Sequence, residues 1–234
     1  ILLLLSIICF YRSLSEKNIT VKRLLILSAI TNTLISGFTQ SLGPILAFAI
    51  CLLIYSIITG RVKSLIFTLI LVSATVSISP QLSDKTKSLG NIDIYNVMNN
   101  ESRTIRERLG YLHYGMSKFT SSYLIGYGPQ NIEQDMQTFF ETKNIKYTSA
   151  QDHLHNEFID ISVKFGLVAL ILLLLTYYLM YKNTQKHKLL VLLLIIYIMG
   201  TQLTQSQLSH SQIVTLFISL IYTFINIREK SEVK

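Results

Sequence analysis

Apolar residues in this chain come in long blocks instead of alternating with polar ones, and this pattern constrains the fold more than any other. About 17–25 such residues cross a bilayer as a helix. Only helices and closed barrels satisfy every backbone N–H and C=O in lipid. Candidate spans cover residues 24–38, 44–59, 65–79, 158–181, 189–203 and 213–227. An opening run, 1–11, is too short to span. No basic segment precedes it, so it reads as the end of a truncated helix and not as a signal peptide. The expected fold is therefore an all-α, polytopic integral membrane protein with about seven spans, the first partial. The chain reads as the C-terminal part of a longer protein. Its 50% hydrophobic content agrees with this class. The expected organisation is membrane helices over 1–79, one large loop over 80–157, further membrane helices over 158–227 and a tail over 228–234.

Charge sets the expected orientation. Lys and Arg cluster on alternate connections: Arg12, Lys17, Lys22 and Arg23; Arg61 and Lys63; Lys182, Lys186 and Lys188; and Arg228, Lys230 and Lys234. Positively charged connections stay in the cytoplasm, so the large loop faces outside. Within that loop Lys85, Lys87, Arg103, Arg106, Arg108, Lys118, Lys143 and Lys146 meet nine acidic residues. The net charge of +8 is thus mainly a topology signal and not a nucleic-acid patch. The two cysteines, Cys9 and Cys51, both lie in apolar blocks, which argues against a disulfide framework or a thiolate zinc site.

Inside the loop, residues 101–120 predict an amphipathic helix. Ile105, Leu109, Leu112, Met116 and Phe119 recur at spacings of three and four and form one stripe, expected to rest on the protein or membrane surface. Arg108 lies about 60° from Ile105 and Arg106 about 100° on the other side. Residues 83–100 read as a flexible lead-in, and Gly126-Tyr127-Gly128-Pro129 reads as a turn.

Three features carry candidate chemistry. The first is Asp152-His153-Leu154-His155-Asn156-Glu157, immediately before an apolar helix. A neutral imidazole takes a proton from a hydroxyl, and a neighbouring carboxylate orients it. The same residues also serve as an ordinary helix cap, and a zinc pair of His153 and His155 would require extended backbone. The second is Arg103, Arg106 and Arg108, whose guanidinium forks match phosphate oxygens. Their alternative role is a solvated helix face paired with Glu101 and Glu107. The third is the polar run 201–212, which is either a short loop or the lining of a sugar-binding cavity.

Together these features resemble the O-antigen ligase/polymerase family of membrane glycosyltransferases, over about residues 39–175. His155-Asn156 is followed by nine residues and then Gly166, as in the family's ligases. Arg108 precedes Gly126-Tyr127-Gly128, and Thr39-Gln40-Ser41-Leu42-Gly43 resembles the family's Thr-x-Ser-Arg-Gly turn, with Leu42 in the place of Arg. Ala169 stands where Gly or Thr often follows. The family's second loop arginine has no counterpart between Gly128 and His153, and Lys143 or Lys146 takes its place.

The resemblance implies a bacterial inner-membrane enzyme with its active site facing the periplasm. Its donor would be a glycan on undecaprenyl pyrophosphate and its acceptor the lipid A-core oligosaccharide. Ligase activity is favoured, with O-antigen polymerase and protein O-oligosaccharyltransferase as alternatives. His155 would be the general base. Arg108 and Arg106 would bind the pyrophosphate, with Arg103 and Lys146 beside them, and His153 and Asn156 would orient the site. No cofactor or metal is implied, because the donor is already activated. The rival from another class is a transporter or flippase, which would carry ionisable groups at mid-membrane.

Overall fold

The computed structural model describes residues 2–38, 41–80, 83–84, 103–130, 132–145, 153–184 and 187–204. The expected span at 213–227, the tail, most of the lead-in 83–100, the polar run beyond Thr204, Asp152 and Lys146 lie outside the described residues, as do Thr39 and Gln40.

Among the described residues every regular element is helical. They run α1 (Leu2–Ser15), α2 (Ile19–Gly37), α3 (Leu42–Thr59), α4 (Val62–Ile78), α5 (Arg103–Ser121), α6 (Ile132–Thr142), α7 (Glu157–Asn183) and α8 (Lys188–Gln202). Helices α2, α3 and α7 are long and apolar enough to cross a membrane, whereas α1, α4 and α8 are apolar but shorter. Two compact units form. The first takes its described residues from Ile1–Thr86 and Met180–Thr201, and the second from Lys87–Leu179 and Gln202–Ser219.

Short polar signals set the helix ends in the first unit. The Asn18 side chain accepts from the Thr20 and Val21 amides at 3.0 and 3.4 Å, which starts α2. Gly60, at φ 64°, lets α3 stop and α4 begin within a two-residue turn. The interior of the unit sets small hydroxyl residues among large apolar ones such as Ile45, Phe48 and Leu52, and its surface is greasy as well. Ser6 and Thr33 are fully buried, whereas Ile57 is 71% exposed. The Ser6 hydroxyl donates to the Ala29 carbonyl and the Thr33 hydroxyl to Ser6, each at 3.1 Å. A Cβ on Gly37 would stand 3.0 Å from the Thr75 carbonyl oxygen, and one on Gly200 2.8 Å from the Ala47 Cβ. Small residues let helices approach closely and hydroxyls bond across them, as expected where lipid, not water, surrounds the bundle.

The second unit has a core of Tyr111, Tyr114, Ile132, Met136, Phe140, Ile145, Leu154 and Val163. Two corrections to the sequence reading arise here. The buried face of α5 is only partly the predicted stripe, whose Leu109 and Phe119 pack partly buried against that core. Met116 is 53% exposed, and Tyr111 and Tyr114 are buried in its place. Gly110 and Gly115 explain the rotation, because Phe140 and Ile159 sit where their side chains would be.

The span expected at 158–181 is also not one continuous helix. Gly166, at φ 80° and ψ −178°, breaks α7. The turn that follows α5 repairs the break. The Tyr127 and Gly128 amides donate to the carbonyls of Val163 and Lys164 at 2.6 and 3.1 Å, and the Leu167 amide donates to the Tyr123 carbonyl at 2.8 Å. A helix interrupted in an apolar setting needs such substitutes for its lost bonds. The helix also holds an ion pair that the sequence reading passed over: Lys164 Nζ lies 2.8 Å from Asp160 Oδ2.

Candidate active site

The break in α7 leaves a short polar-ended segment, 157–165, whose start is built by its own side chains. Asn156 is the cap. Its Oδ1 accepts from the Ile159 amide and its Nδ2 donates to the Leu203 carbonyl, both at 3.2 Å. One turn on, buried Asp160 reaches back and accepts from the Leu154 amide at 3.1 Å through Oδ1. Its Oδ2 holds Lys164. The chain on either side of His155 is therefore tied to α7. Between these two ties His155 takes φ 52°, a left-handed conformation unusual for a residue with a Cβ.

The imidazole of His155 packs against Tyr111, with ring centroids 5.2 Å apart, and edge-on against His153 at 4.7 Å. Burial, then the neighbouring His153, then Arg108 push its pKa down to about 4, against a smaller opposing effect of Glu107. The ring is thus neutral at neutral pH and has a lone pair free to accept a proton.

His155, Asn156 and Arg108 line one cavity of about 180 Å³, together with Leu112, Leu203 and Thr204. Arg108 enters from α5. Much of its side chain is exposed, yet desolvation at its charged end lowers its pKa below the usual arginine value. Arginine stays charged despite such a shift. A neutral imidazole and a fixed cation thus face one small space, an arrangement suited to taking a proton from one group while holding negative charge on another.

The other sequence candidates are placed less centrally. His153 touches the site through His155. Arg106 sits on α5 but outside the cavity lining, because two residues along a helix turn a side chain through about 200°. Arg103 opens α5. Lys146 lies outside the described residues, and Lys143 is exposed just beyond α6. The polar run does reach the cavity, through its early members Leu203 and Thr204.

Sequence reasoning missed Asp160, Lys164 and Tyr111. The only signal for the first pair was two opposite charges four residues apart in an apolar run. A second polar cluster braces the far end of α5. Asp135 accepts from Lys118 at 2.9 Å and from the Tyr127 hydroxyl. These bonds, Tyr127's first and then Lys118's, hold the Asp135 carboxyl below its usual pKa.

The O-antigen ligase family model matches residues 24–174 of this chain. No curated protein and no solved structure matches it. The match covers more than half of the sequence and includes α5, the Gly126–Gly128 turn and the His155–Gly166 segment. The chain belongs to the O-antigen ligase family, and is a membrane glycosyltransferase of the O-antigen ligase/polymerase type.

Proposed function

From that family membership we propose that the protein transfers an O-antigen glycan from undecaprenyl pyrophosphate to the lipid A-core oligosaccharide at the periplasmic face of the inner membrane. The observation that carries this reading is the pairing of a neutral His155 with Arg108 in one cavity. In this mechanism His155 accepts the proton of the acceptor hydroxyl. The hydroxyl oxygen forms the new bond to the anomeric carbon. The bond from that carbon to the phosphate oxygen breaks, and its electron pair leaves with undecaprenyl pyrophosphate. Arg108 stabilises the charge that grows on that leaving group. Arg106, Arg103 and Lys146 would also bind the pyrophosphate, and Asn156 and His153 would keep the imidazole in place. The reaction needs no metal, because a pyrophosphate is already a good leaving group.

The cavity is smaller than the about 300–1,000 Å³ of a site that swallows a whole drug-sized ligand. It fits an enzyme that encloses only the reacting hydroxyl and phosphate and leaves the long glycan and the lipid tail outside. The alternation of basic connections supports a periplasmic site through the same rule that fixes loop charge.

The test is complementation of cells that lack their own ligase with the full-length protein. Wild type restores lipopolysaccharide carrying long O-antigen, and His155→Ala leaves bare core. A variant that still attaches O-antigen would overturn the base assignment. If loss of the protein instead leaves core bearing a single repeat unit, the reaction is polymerisation and not ligation.

A further inference from the structure

We propose that the end of the first unit where α1 meets the turn between α3 and α4 binds the phosphate of an anionic phospholipid. A cavity of about 510 Å³ opens there, lined by Phe10, Leu14, Arg61, Lys63, Ser64 and Phe67. Its two halves differ in chemistry. Phe10 stacks on Phe67 with centroids 6.0 Å apart and meets Tyr55 edge-on at 5.6 Å, giving a preformed apolar wall. The lip is cationic. Arg61 and Lys63 are both exposed, and Arg61 Nη1 is held by the Tyr55 hydroxyl at 3.1 Å. A guanidinium has five donors, so this bond orients Arg61 and leaves most of its fork available.

The start of α4 adds two further donors of positive character. The helix is 17 residues long and begins without a side-chain cap, so its first amides and its dipole favour an anion. Ser64, in the first turn, is only 8% exposed, and its hydroxyl has no hydrogen-bond partner among the described residues. This is not the habit of the helix. Thr68 and Thr75 donate back to the carbonyls four residues earlier, at 2.8 and 2.7 Å. Ser64 itself lines the cavity, and its buried hydroxyl is unmet among the described residues.

A buried hydroxyl, an uncapped helix start and two cations describe a phosphate site. The aromatic wall beside them selects the source. A free phosphate or a soluble ester would leave that wall exposed, whereas a phospholipid lays its acyl chain along Phe10, Leu14 and Phe67 while its phosphodiester meets the lip. Basic pockets among membrane helices bind anionic headgroups in this way. The site is independent of the glycan-transfer reading.

The experiment uses full-length protein, stripped of lipid in neutral detergent, and native mass spectrometry of the phospholipid it then retains. Wild type is expected to retain phosphatidylglycerol in preference to phosphatidylcholine. Arg61→Gln/Lys63→Gln lowers that retention about thirty-fold, and Lys63→Gln or Ser64→Ala alone about five-fold. Lys17→Gln removes one positive charge outside the cavity lining and leaves retention unchanged. If Lys17→Gln costs as much as Lys63→Gln, the attraction is diffuse and the site is refuted. Equal retention of phosphatidylcholine, or full displacement of lipid by inorganic phosphate, refutes it as well. The single substitutions lie at exposed Lys63 and at an unbonded hydroxyl, so they keep the comparison usable if the double variant fails to fold.

Discussion

Gly126 and Gly166, forty positions apart in sequence, meet backbone to backbone. A Cβ on Gly126 would stand 2.6 Å from the Gly166 amide nitrogen, and one on Gly166 2.7 Å from the Gly126 nitrogen. Both residues have φ near 80–86°, where side chains are strained. The contact is how the turn after α5 replaces the bonds lost where α7 breaks. It thereby couples the helix that carries Arg108 to the helix that begins beside His155.

Alanine at either glycine is expected to unfold or displace this junction. Backbone strain alone costs about 1–3 kcal/mol, and the clash with main-chain atoms adds to it, since those atoms cannot rotate away. Gly128→Ala is the matched control: φ is 91° there, but nothing lies within 4 Å of an added Cβ. Thermal unfolding of the purified variants should rank Gly128→Ala clearly above Gly126→Ala and Gly166→Ala. Equal stabilities would show that the turn does not rest on the break.

Asp160 is expected to matter for the position of His155 more than for any chemistry of its own. It ties the Leu154 amide and holds Lys164, with both side chains largely buried at 6% and 13% exposure. Asp160→Ala removes one partner of a buried pair, a change that costs about 3–5 kcal/mol. Asp160→Asn keeps an acceptor for the Leu154 amide. Glycan transfer should therefore fall less in Asp160→Asn than in Asp160→Ala at matched protein levels. The reverse order would remove Asp160 from any positioning role.

Much of this arrangement was legible in the sequence. Apolar blocks mark helices because lipid leaves a chain few other options, and α2, α3, α4 and α8 fall close to the expected spans. His155 and Asn156 stood out because polar residues bordering an apolar block need a reason to be there, and Arg108 because a guanidinium fork matches phosphate oxygens. The rest was hidden for physical reasons. Gly110 and Gly115 have no side chain to register on a hydrophobic stripe, so the rotation of α5 toward Tyr111 and Tyr114 left no periodic trace. Gly166 sits near the start of the apolar run 165–175, and only the partner turn makes its break visible. Asp160 and Lys164 satisfy each other just before that run, and the reach of Asp160 back to Leu154 depends on a bend that no spacing rule encodes.

The pH dependence of transfer should be unusually flat on its acid side. A histidine base at its ordinary value of 6.5 would lose activity below neutrality, whereas His155 titrates at about 4. The base form then persists through mildly acidic solution, and its limb appears near pH 4 in transfer assays on purified protein. The sign for stability follows from the same shift. The unfolded chain binds the proton more tightly than the folded one. The contribution of His155 is therefore complete above 6.5 and is lost as pH falls toward 4. An acid limb near 6.5 in the wild-type profile would contradict the buried, neutral ring.

Arg108 offers the sharpest separation of charge from geometry. A lysine there keeps the positive charge but presents a single ammonium in place of a planar fork. If Arg108 stabilises the departing pyrophosphate, Arg108→Ala should slow transfer about 10²–10³-fold, the usual cost of removing one donor aimed at developing charge. Arg108→Lys should fall between that variant and wild type. The loss should appear in kcat more than in KM, because the charge develops only as the sugar–phosphate bond breaks. Arg106→Ala provides the comparison on the same helix. Arg106 lies outside the cavity that Arg108 and His155 line, so its loss should raise KM for the lipid-linked donor and leave kcat nearly unchanged. Equal kcat losses for the two arginines would mean that the pyrophosphate bridges both sides of α5, and the assignment of Arg108 as the residue facing the reacting bond would fall.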